Sequence, residues 1–222
     1  MSNMSNYNLI QNIYNNNCIT PTEVFKLLPI FKDYASKSTS VLVLGVQDIY
    51  NENPILSALV FGLLNNNNTT KKLILNDKYV CNIPTILNVA NDLDLGLDVK
   101  TKWCNSLELN ITQNVDLTFI DTWHVYGQLK RELAKFAPLT NNYIIMHDTV
   151  IDEVYGETIR RGLDATTQAT ESGFTLDEIN CGVGKAIDEF LAANSHWVLD
   201  QKIIFNNGLT ILRNVNTTQA HL

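Results

Sequence analysis

Residues 115–149 read VDLTFIDTWHVYGQLKRELAKFAPLTNNYIIMHDT, and this stretch decides the fold. Residues 117–120 and 143–146 are short runs of strand-favouring residues, and polar residues follow each run directly. Between the runs, apolar residues such as Leu129 and Leu133 recur at helical spacing, with Glu132 and other charged residues on the remaining faces. The pattern predicts a strand, a helix and a second strand, and connections of this kind place the two strands parallel in one sheet.

An acid and an imidazole follow each predicted strand. Asp121 and His124 come after the first strand, and His147 and Asp148 come after the second. Because open α/β sheets bind ligands outside the carboxyl ends of their strands, we expect these four side chains to face one crevice. Two carboxylates and two imidazoles there can hold a hard cation, take a proton, or do both. The alternative for each pair is a capping role, in which the side chain satisfies backbone groups of the following turn or helix.

Length and composition limit the class of protein. The chain has 222 residues and is 45% hydrophobic, which suits one folded α/β domain with a substantial core. Its formal net charge is −7, and lysine and arginine form no cluster. Nucleic acid is therefore an unexpected partner, since its backbone would require a basic surface.

Cysteine usage and the absence of apolar segments predict the compartment. The four cysteines are scattered without a CxxC pair, which argues against a zinc site or a disulfide framework and predicts reduced thiols. The first residues lack the charged and apolar regions of a signal peptide, and no stretch is long enough to cross a bilayer. We expect a soluble, cytoplasmic protein without a membrane partner.

The rest of the chain predicts alternating strands and helices, followed by a terminal hairpin. Residues 1–20 are predicted to be a poorly ordered or loosely docked tail, and residues 21–36 a helix that caps the sheet. The run VLVLG at 41–45 is typical of a central strand buried on both faces. The sequence NNG at 206–208 predicts an antiparallel hairpin. The other predicted strands are 72–76, 97–103, 197–205 and 209–213, and the other predicted helices are 54–64, 82–93, 151–168 and 181–193.

The order of these motifs resembles the class I S-adenosylmethionine-dependent methyltransferases. The motifs are VLVLG, LILND, NSLE, FIDTWHVYGQLKREL, YIIMHDT and FNNGLTILR, and they extend over residues 38–214. Within that class, the chain is most similar to the branch that contains small-molecule and sugar O-methyltransferases and cephalosporin-hydroxylase-like proteins. The most specific motifs are the IDxxHxY turn and the HDT turn. The resemblance predicts a tail and cap helix at 1–37, a methyltransferase-like domain at 38–214 and a short tail at 215–222.

The resemblance implies a fold and a cofactor. It implies a three-layer, Rossmann-like α/β fold, whose seven-stranded, mostly parallel sheet ends in an antiparallel strand of the C-terminal hairpin, with S-adenosylmethionine at the ends of the first strands. Gly45 would lie under the methionine part of the cofactor, Asp77 would accept from the ribose hydroxyls, and Asn105 and Ser106 would lie near the adenine. Asp48 is the candidate acid for the aminoacyl group.

The resemblance also implies the reactive groups. Asp121 and Asp148, with His147, match positions where some relatives bind a divalent cation, for which the oxygen ligands favour Mg²⁺. His124 matches a position suited to a proton acceptor. Methyl transfer to a hydroxyl requires alignment of donor and acceptor and removal of one proton, and these residue types suit that task.

Two functions from different classes follow. The first is an O-methyltransferase that modifies a small-molecule hydroxyl of a sugar or nucleotide-sugar with Mg²⁺ assistance. A homo-oligomer is the expected assembly. The second is a non-catalytic binding or assembly module, because the first loop has Gln47 and Ile49 where the methyltransferase pattern has glycines. A hydroxylation reaction on the same scaffold is weaker, since the spacing reveals no triad of two histidines and one carboxylate.

Overall fold

The computed structural model describes residues 2–17, 23–46, 53–67 and 70–216. Seven strands in these ranges form one mixed sheet in the order β3-β2-β1-β4-β5-β7-β6, with antiparallel pairing at its C-terminal end. This confirms the predicted α/β, Rossmann-like class. The strands are β1 (Ser40–Leu44), β2 (Lys71–Asp77), β3 (Leu97–Trp103), β4 (Val115–Ile120), β5 (Thr140–His147), β6 (Trp197–Ile203) and β7 (Leu209–Asn214).

The helices of the described ranges mostly agree with the periodicity. They are α1 (Ser2–Asn17), α2 (Leu28–Ser36), α3 (Pro54–Leu64), α4 (Thr85–Asp92), α5 (Tyr126–Phe136), α6 (Glu157–Arg160), α7 (Ala165–Ser172), α8 (Leu176–Asn180) and α9 (Val183–Ala193). Short 3-10 helices cover Glu23–Lys26, Ser106–Glu108 and Ala137–Leu139. The chain divides into two compact units, residues 1–110 with 115–117, and residues 111–114 with 118–222.

The first unit contains a parallel part of the sheet. Val41 of β1 pairs with Leu73 of β2, and Leu73 pairs in turn with Val99 of β3. All five residues of β1 are buried, as the apolar run at 41–45 predicts. In the same unit, α3 approaches α2 so closely that a Cβ on Gly62 would lie 2.3 Å from the backbone oxygen of Lys32.

The N-terminal segment is a docked helix rather than a poorly ordered tail, because Ser2–Asn17 form α1. Ile10 is only 2% exposed, and the Tyr14 ring stacks on Phe61 of α3 with centroids 4.6 Å apart. The polar, asparagine-rich sequence hides this helix, since only a few apolar positions carry the contact. Burial of those few positions is enough to dock it.

The second unit contains the hairpin and the helices around it. β7 pairs antiparallel with both β5 and β6, which confirms the predicted hairpin. Asn206, Asn207 and Gly208 all have positive φ, the conformation that Asn and Gly tolerate best. On α5, Leu129 and Leu133 are buried as the helical spacing predicts.

The single helix predicted at 151–168 is wrong. Residues 151–156 form an irregular segment, and the helical part divides into α6 and α7, with α8 following. Gly162 has φ +63° and ends the first helix, and the Asp164 side chain accepts from Thr166 N and Thr167 N to begin the second. The helix predicted from 181 begins at Val183, because Gly182 is its N-cap.

Two features bear on the predicted compartment. Among the residues that the structure describes, no helix combines the length and apolarity that a membrane span requires. Cys81, Cys104 and Cys181 are free thiols, and Cys18 lies outside the described residues.

Candidate active site

Four predicted residues meet at the ends of β4 and β5 in the second unit. His124 Nε2 lies 3.1 Å from Asp121 Oδ1, and His147 Nδ1 lies 3.4 Å from the same oxygen. Asp148 contacts both rings, with Oδ2 at 3.3 Å from His124 Nδ1 and Oδ1 at 3.3 Å from His147 Nδ1. We call Asp121, His124, His147 and Asp148 the acid–imidazole cluster. The structure thus brings together two pairs that are separated by more than 20 residues of sequence.

Helix α5 stabilises the turn after β4 through side-chain hydrogen bonds. Glu132 is fully buried, and both of its carboxylate oxygens accept from Thr122 Oγ1 at 2.9 Å. Gln128 Nε2 donates to the same carboxylate at 2.8 Å. The sequence places Glu132 on a charged face of the helix, so this support was missed. A buried, hydrogen-bonded carboxylate restrains the turn that carries Asp121 and His124.

The HDT turn is held by the loop of the terminal hairpin. Asp148 has φ +56°, and Asn207 O accepts from the backbone N–H groups of Val150 and Ile151, both at 2.9 Å. Asn206 Nδ2 lies 3.3 Å from His147 Nε2. The NNG sequence therefore has a second role besides turning the chain, because it fixes the backbone that presents the acid–imidazole cluster.

Two further acidic residues lie near the ring of His124, and an arginine holds one of them. Asp152 Oδ2 and Glu157 Oε2 lie 3.5 Å and 3.7 Å from His124 Nδ1. Asp152 is fully buried and accepts two hydrogen bonds from Arg160, from Nε at 2.6 Å and from Nη2 at 2.9 Å. The sequence allows two roles for Asp152 and Glu157, closure over the acceptor or the acidic first turn of a helix. In the structure Glu157 does begin helix α6, Asp152 lies in the irregular segment before it, and both carboxylates lie near His124. The single usable signal is their proximity to the HDT motif.

The charges in the cluster shift one another's ionisation. Burial alone would raise the pKa of Asp121, but the charge of His147 and hydrogen bonds from both imidazoles hold that pKa well below its usual range. Burial opposes the charge on His124, yet the hydrogen bond and charge of Asp121, with the charges of Asp148 and Glu157, raise the pKa of His124 to about 9. His147 follows the same pattern, because Asp121 outweighs burial and raises its pKa. Burial raises the pKa of Asp148 above its usual value despite the two adjacent imidazoles.

These shifts define what the cluster can do. With a pKa near 9, His124 is an imidazolium at neutral pH as long as the surrounding carboxylates remain charged. It can accept a proton once other positive charge enters the cluster and balances those carboxylates. Proton transfer at His124 is therefore coupled to the charge state of the whole cluster.

The cluster also contains the donor atoms of a cation site. Ligand atoms of Asp121, His124 and Asp148 all lie within 4.8 Å of one another. Among the described residues, His124 Nδ1 and Asp148 Oδ1 are buried atoms without a hydrogen-bond partner. Buried polar atoms without a hydrogen bond are costly, and a bound cation is one way to satisfy them.

Trp123 has a packing contact. Its ring stacks on Phe174 with centroids 5.8 Å apart, and its Nε1 donates to Thr158 Oγ1 at 3.3 Å. Thr158 Oγ1 donates in turn to Gln168. This side chain therefore connects the IDTWH turn to the helices that follow the HDT turn.

The residues predicted to bind a cofactor lie in the first unit. Gly45 follows β1 with φ +88°, and Val46 N donates to Asp77 Oδ2 at 3.0 Å. Asp77 Oδ1 accepts from Tyr79 N at 3.0 Å. The structure therefore brings Gly45 and Asp77 to neighbouring strand ends. Asn105 is exposed and accepts from Leu107 N, Ser106 is buried, and Asp48 lies outside the described residues.

Comparison with solved structures supports the fold. A methyltransferase from Podospora anserina bound to S-adenosylhomocysteine is 13% identical, with a TM-score of 0.53, and the match covers 92% of this chain and 87% of that one. An O-methyltransferase from Bacillus cereus in complex with S-adenosylhomocysteine is 13% identical, with a TM-score of 0.52 over 95% and 90% of the two chains. An O-methyltransferase from Streptomyces achromogenes in complex with S-adenosylmethionine is 10% identical, with a TM-score of 0.50 over 84% and 79%.

These likenesses show a shared fold, that of class I methyltransferases. By sequence, no protein-family profile and no curated protein matches the chain.

Proposed function

We propose that this protein is an S-adenosylmethionine-dependent O-methyltransferase that acts on a small-molecule hydroxyl, with a sugar or nucleotide-sugar as the acceptor class. The observation that carries the proposal is the acid–imidazole cluster at the ends of β4 and β5, in a chain with the strand order of class I methyltransferases. Each of the three solved structures described above contains S-adenosylmethionine or S-adenosylhomocysteine. That common cofactor supports the choice of methyl donor.

In this proposal the first unit holds the cofactor. Gly45, Asp77, Asn105 and Ser106, with Asp48, are the proposed contacts. The positive φ of Gly45 and the hydrogen bond from Val46 N to Asp77 support it, because they hold the backbone after β1 beside the carboxylate after β2. Asp77 keeps lone pairs on both oxygens for ribose hydroxyls, since each carboxylate oxygen can accept more than one hydrogen bond.

The acid–imidazole cluster serves the acceptor. Asp121 and Asp148 accept hydrogen bonds from acceptor hydroxyls, which suits a polyhydroxylated molecule. His124 takes the proton of the reacting hydroxyl, and its hydrogen bond to Asp121 fixes the ring orientation. Asp152, held by Arg160, and Glu157 restrain the other side of the ring.

The cluster also fits a divalent cation, for which Mg²⁺ is the ion predicted from the oxygen ligands. Asp121, His147 and Asp148 are the proposed ligands, and the fit is supported by Asp148 Oδ1, which is buried and makes no hydrogen bond within the described residues. A bound cation would lower the pKa of a coordinated hydroxyl and align it for transfer. The predicted cytoplasmic location and homo-oligomeric state remain predictions.

Calorimetric titration with S-adenosylmethionine and S-adenosylhomocysteine tests the cofactor part. We expect binding in the micromolar range, about −8 kcal/mol. Methylation is then measured on a panel of sugars and nucleotide-sugars, with Mg²⁺ present, for the wild type, His124→Gln and the control His196→Gln. We expect a fall of about 100-fold or more in turnover for His124→Gln. Equal turnover in the two variants would show that His124 is not the group that accepts the proton of the reacting hydroxyl.

A non-catalytic binding module is the second candidate, and one observation favours it. Both carboxylate oxygens of Asp77 already accept from backbone N–H groups, of Val46 and Tyr79, which leaves less capacity for a ribose. If neither cofactor binds in the titration, this candidate replaces the enzyme, and the search turns to protein partners.

A further inference from the structure

We propose that a group of exposed apolar side chains beside His124 binds an apolar aglycone of the acceptor, so that the acceptor is an uncharged glycoside rather than a nucleotide-sugar. This inference rests on the proposed function and narrows its acceptor class. Five large apolar residues lie exposed on the segment between the HDT turn and α7, and we call them the apolar patch. They are Ile151, Val154, Tyr155, Ile159 and Leu163.

The backbone that carries the apolar patch is fixed by a neighbouring segment of the chain. Val154 O accepts a hydrogen bond from Gly182 N at 2.9 Å. A Cβ on Gly156 would lie 2.6 Å from the backbone oxygen of Ile179, so the two segments are in close contact. Val154 and Tyr155 are nevertheless 67% and 66% exposed. Large apolar side chains grouped at the surface of a fixed backbone are typical of a binding surface.

The apolar patch is continuous with the proposed acceptor site. Carboxylate oxygens of Asp152 and Glu157 lie 3.5 Å and 3.7 Å from His124 Nδ1. Consecutive Cα atoms are about 3.8 Å apart, so the Cα atoms of Val154 and Tyr155 lie within about 8 Å of those of Asp152 and Glu157, respectively. The aglycone of a glycoside lies about one sugar ring away from the reacting hydroxyl. An acceptor whose hydroxyl reaches His124 can therefore place its aglycone against the patch.

The charges around the apolar patch disfavour a diphosphate group. Residues 149–184 contain seven acidic residues and two basic residues, Arg160 and Arg161. Both arginines are ion-paired, with Asp152 at 2.6 Å and with Glu157 at 2.7 Å. Two phosphates at this surface would be repelled by the acids, and the segment supplies no unpaired cation to offset that repulsion. An uncharged glycoside avoids the repulsion, and its aglycone gains free energy from burial against the patch.

The test measures the binding of matched probes to the full-length protein by calorimetry, with S-adenosylhomocysteine present. The probes are the methyl and octyl β-glycosides of glucose and of galactose, used below the concentration at which they form micelles, and the corresponding UDP-sugars. We expect the octyl glycosides to bind about tenfold or more tightly than the methyl glycosides, because each buried methylene strengthens binding. The UDP-sugars should bind no more tightly than the methyl glycosides, because their phosphates meet the acidic segment.

A double variant, Val154→Ser/Tyr155→Ser, removes apolar surface from the patch. The matched control, Leu9→Ser/Phe25→Ser, replaces one aliphatic and one aromatic residue of the first unit that are 45% and 48% exposed. We expect the patch variant to lower the preference for octyl glycosides to about threefold or less, and the control to keep the wild-type preference. Circular dichroism verifies the folding of both. If the patch variant does not fold, Ile159→Ser takes its place and must lower the preference as well.

Three binding results would overturn the inference: equal binding of octyl and methyl glycosides, tighter binding of UDP-sugars than of octyl glycosides, or an unchanged preference in the patch variant. Sedimentation gives a fourth, since a wild-type dimer that dissociates in the patch variant would assign the patch to a second copy of this chain. Methylation assays on the same probes separate the two proposals. Methylation without any octyl preference would refute the apolar patch and leave the enzyme. Octyl-selective binding without methylation would contradict the proposed function and leave the patch as a glycoside-binding surface.

Discussion

The pair of Asp152 and Arg160 permits a sharp prediction, because the carboxylate is fully buried. Its side chain is 0% exposed, and Arg160 donates to it through both Nε and Nη2. Asp152→Asn keeps the size of the side chain but removes its charge. Nδ2 would then face an arginine donor where a carboxylate oxygen now accepts.

The expected loss follows from these contacts. Hydrogen bonds to charged groups contribute about 1.5–3 kcal/mol each, and the substitution removes one of the two while weakening the other. Arg160 is 32% exposed, so water can replace part of what its guanidinium loses, which lowers the estimate. We expect Asp152→Asn to lower the free energy of unfolding by about 2–3 kcal/mol.

Glu153→Gln is the matched control in the next residue. Glu153 pairs with Lys202 at 2.7 Å, but both side chains are about 40% exposed, so the pair contributes about 0.5 kcal/mol or less. Urea unfolding of the wild type and both variants, followed by circular dichroism, measures the difference. Similar unfolding free energies for Asp152→Asn and Glu153→Gln would refute the view that Arg160 and Asp152 form a structural support behind His124.

Two other changes test the packing and the charges. Gly62→Ala should destabilise the protein by about 1–3 kcal/mol in urea unfolding, because the new Cβ would lie 2.3 Å from the Lys32 backbone oxygen; unchanged or higher stability would contradict this close approach. Glu178→Gln should lower stability at neutral pH, because a hydrogen bond from Arg131 holds the pKa of Glu178 below its usual value. A carboxyl group whose pKa is lowered by folding stabilises the protein at pH values above its unfolded-state pKa, and this stabilisation is lost as the pH falls. The difference in stability between Glu178→Gln and wild type should therefore shrink between about pH 6 and about pH 3.5. A constant difference across that range would exclude Glu178 ionisation as its origin.

The sequence by itself predicted the strands, the hairpin and the acid–imidazole cluster. The run at 41–45 could be recognised because a strand buried on both faces must be apolar throughout, and β1 is. Asp121 and His147 could be matched because strand ends in a parallel sheet meet at one edge, and their side chains lie 3.4 Å apart. The strands follow from local sequence patterns, and the cluster follows from the rule that the carboxyl ends of parallel strands meet at one edge of the sheet.

Other parts of the site depended on the tertiary structure. Glu132 has the sequence context of a solvent-facing helix residue, and only its contacts with Thr122 and Gln128 reveal that it is buried. Asp152 and Glu157 turn toward His124 because residues 151–156 do not continue as a helix, and the backbone there is fixed by distant partners. Gly156 N donates to Asn180 O, for example, and Glu157 N donates to His124 O.

There is a physical reason why the sequence predicts some of these features and only the tertiary structure reveals the others. Periodicity in a sequence reports which face of one element is apolar, and this determined the strands and most of the helices. The direction of a charged side chain in an irregular segment depends on hydrogen bonds to residues far away in the chain, as between Arg160 and Asp152 on one side and His124 on the other. Helix α1 is a similar case, since the asparagine-rich sequence around Tyr14 does not predict its contact with Phe61. Local patterns therefore determined the elements, and long-range packing decided which charges surround the imidazole of His124.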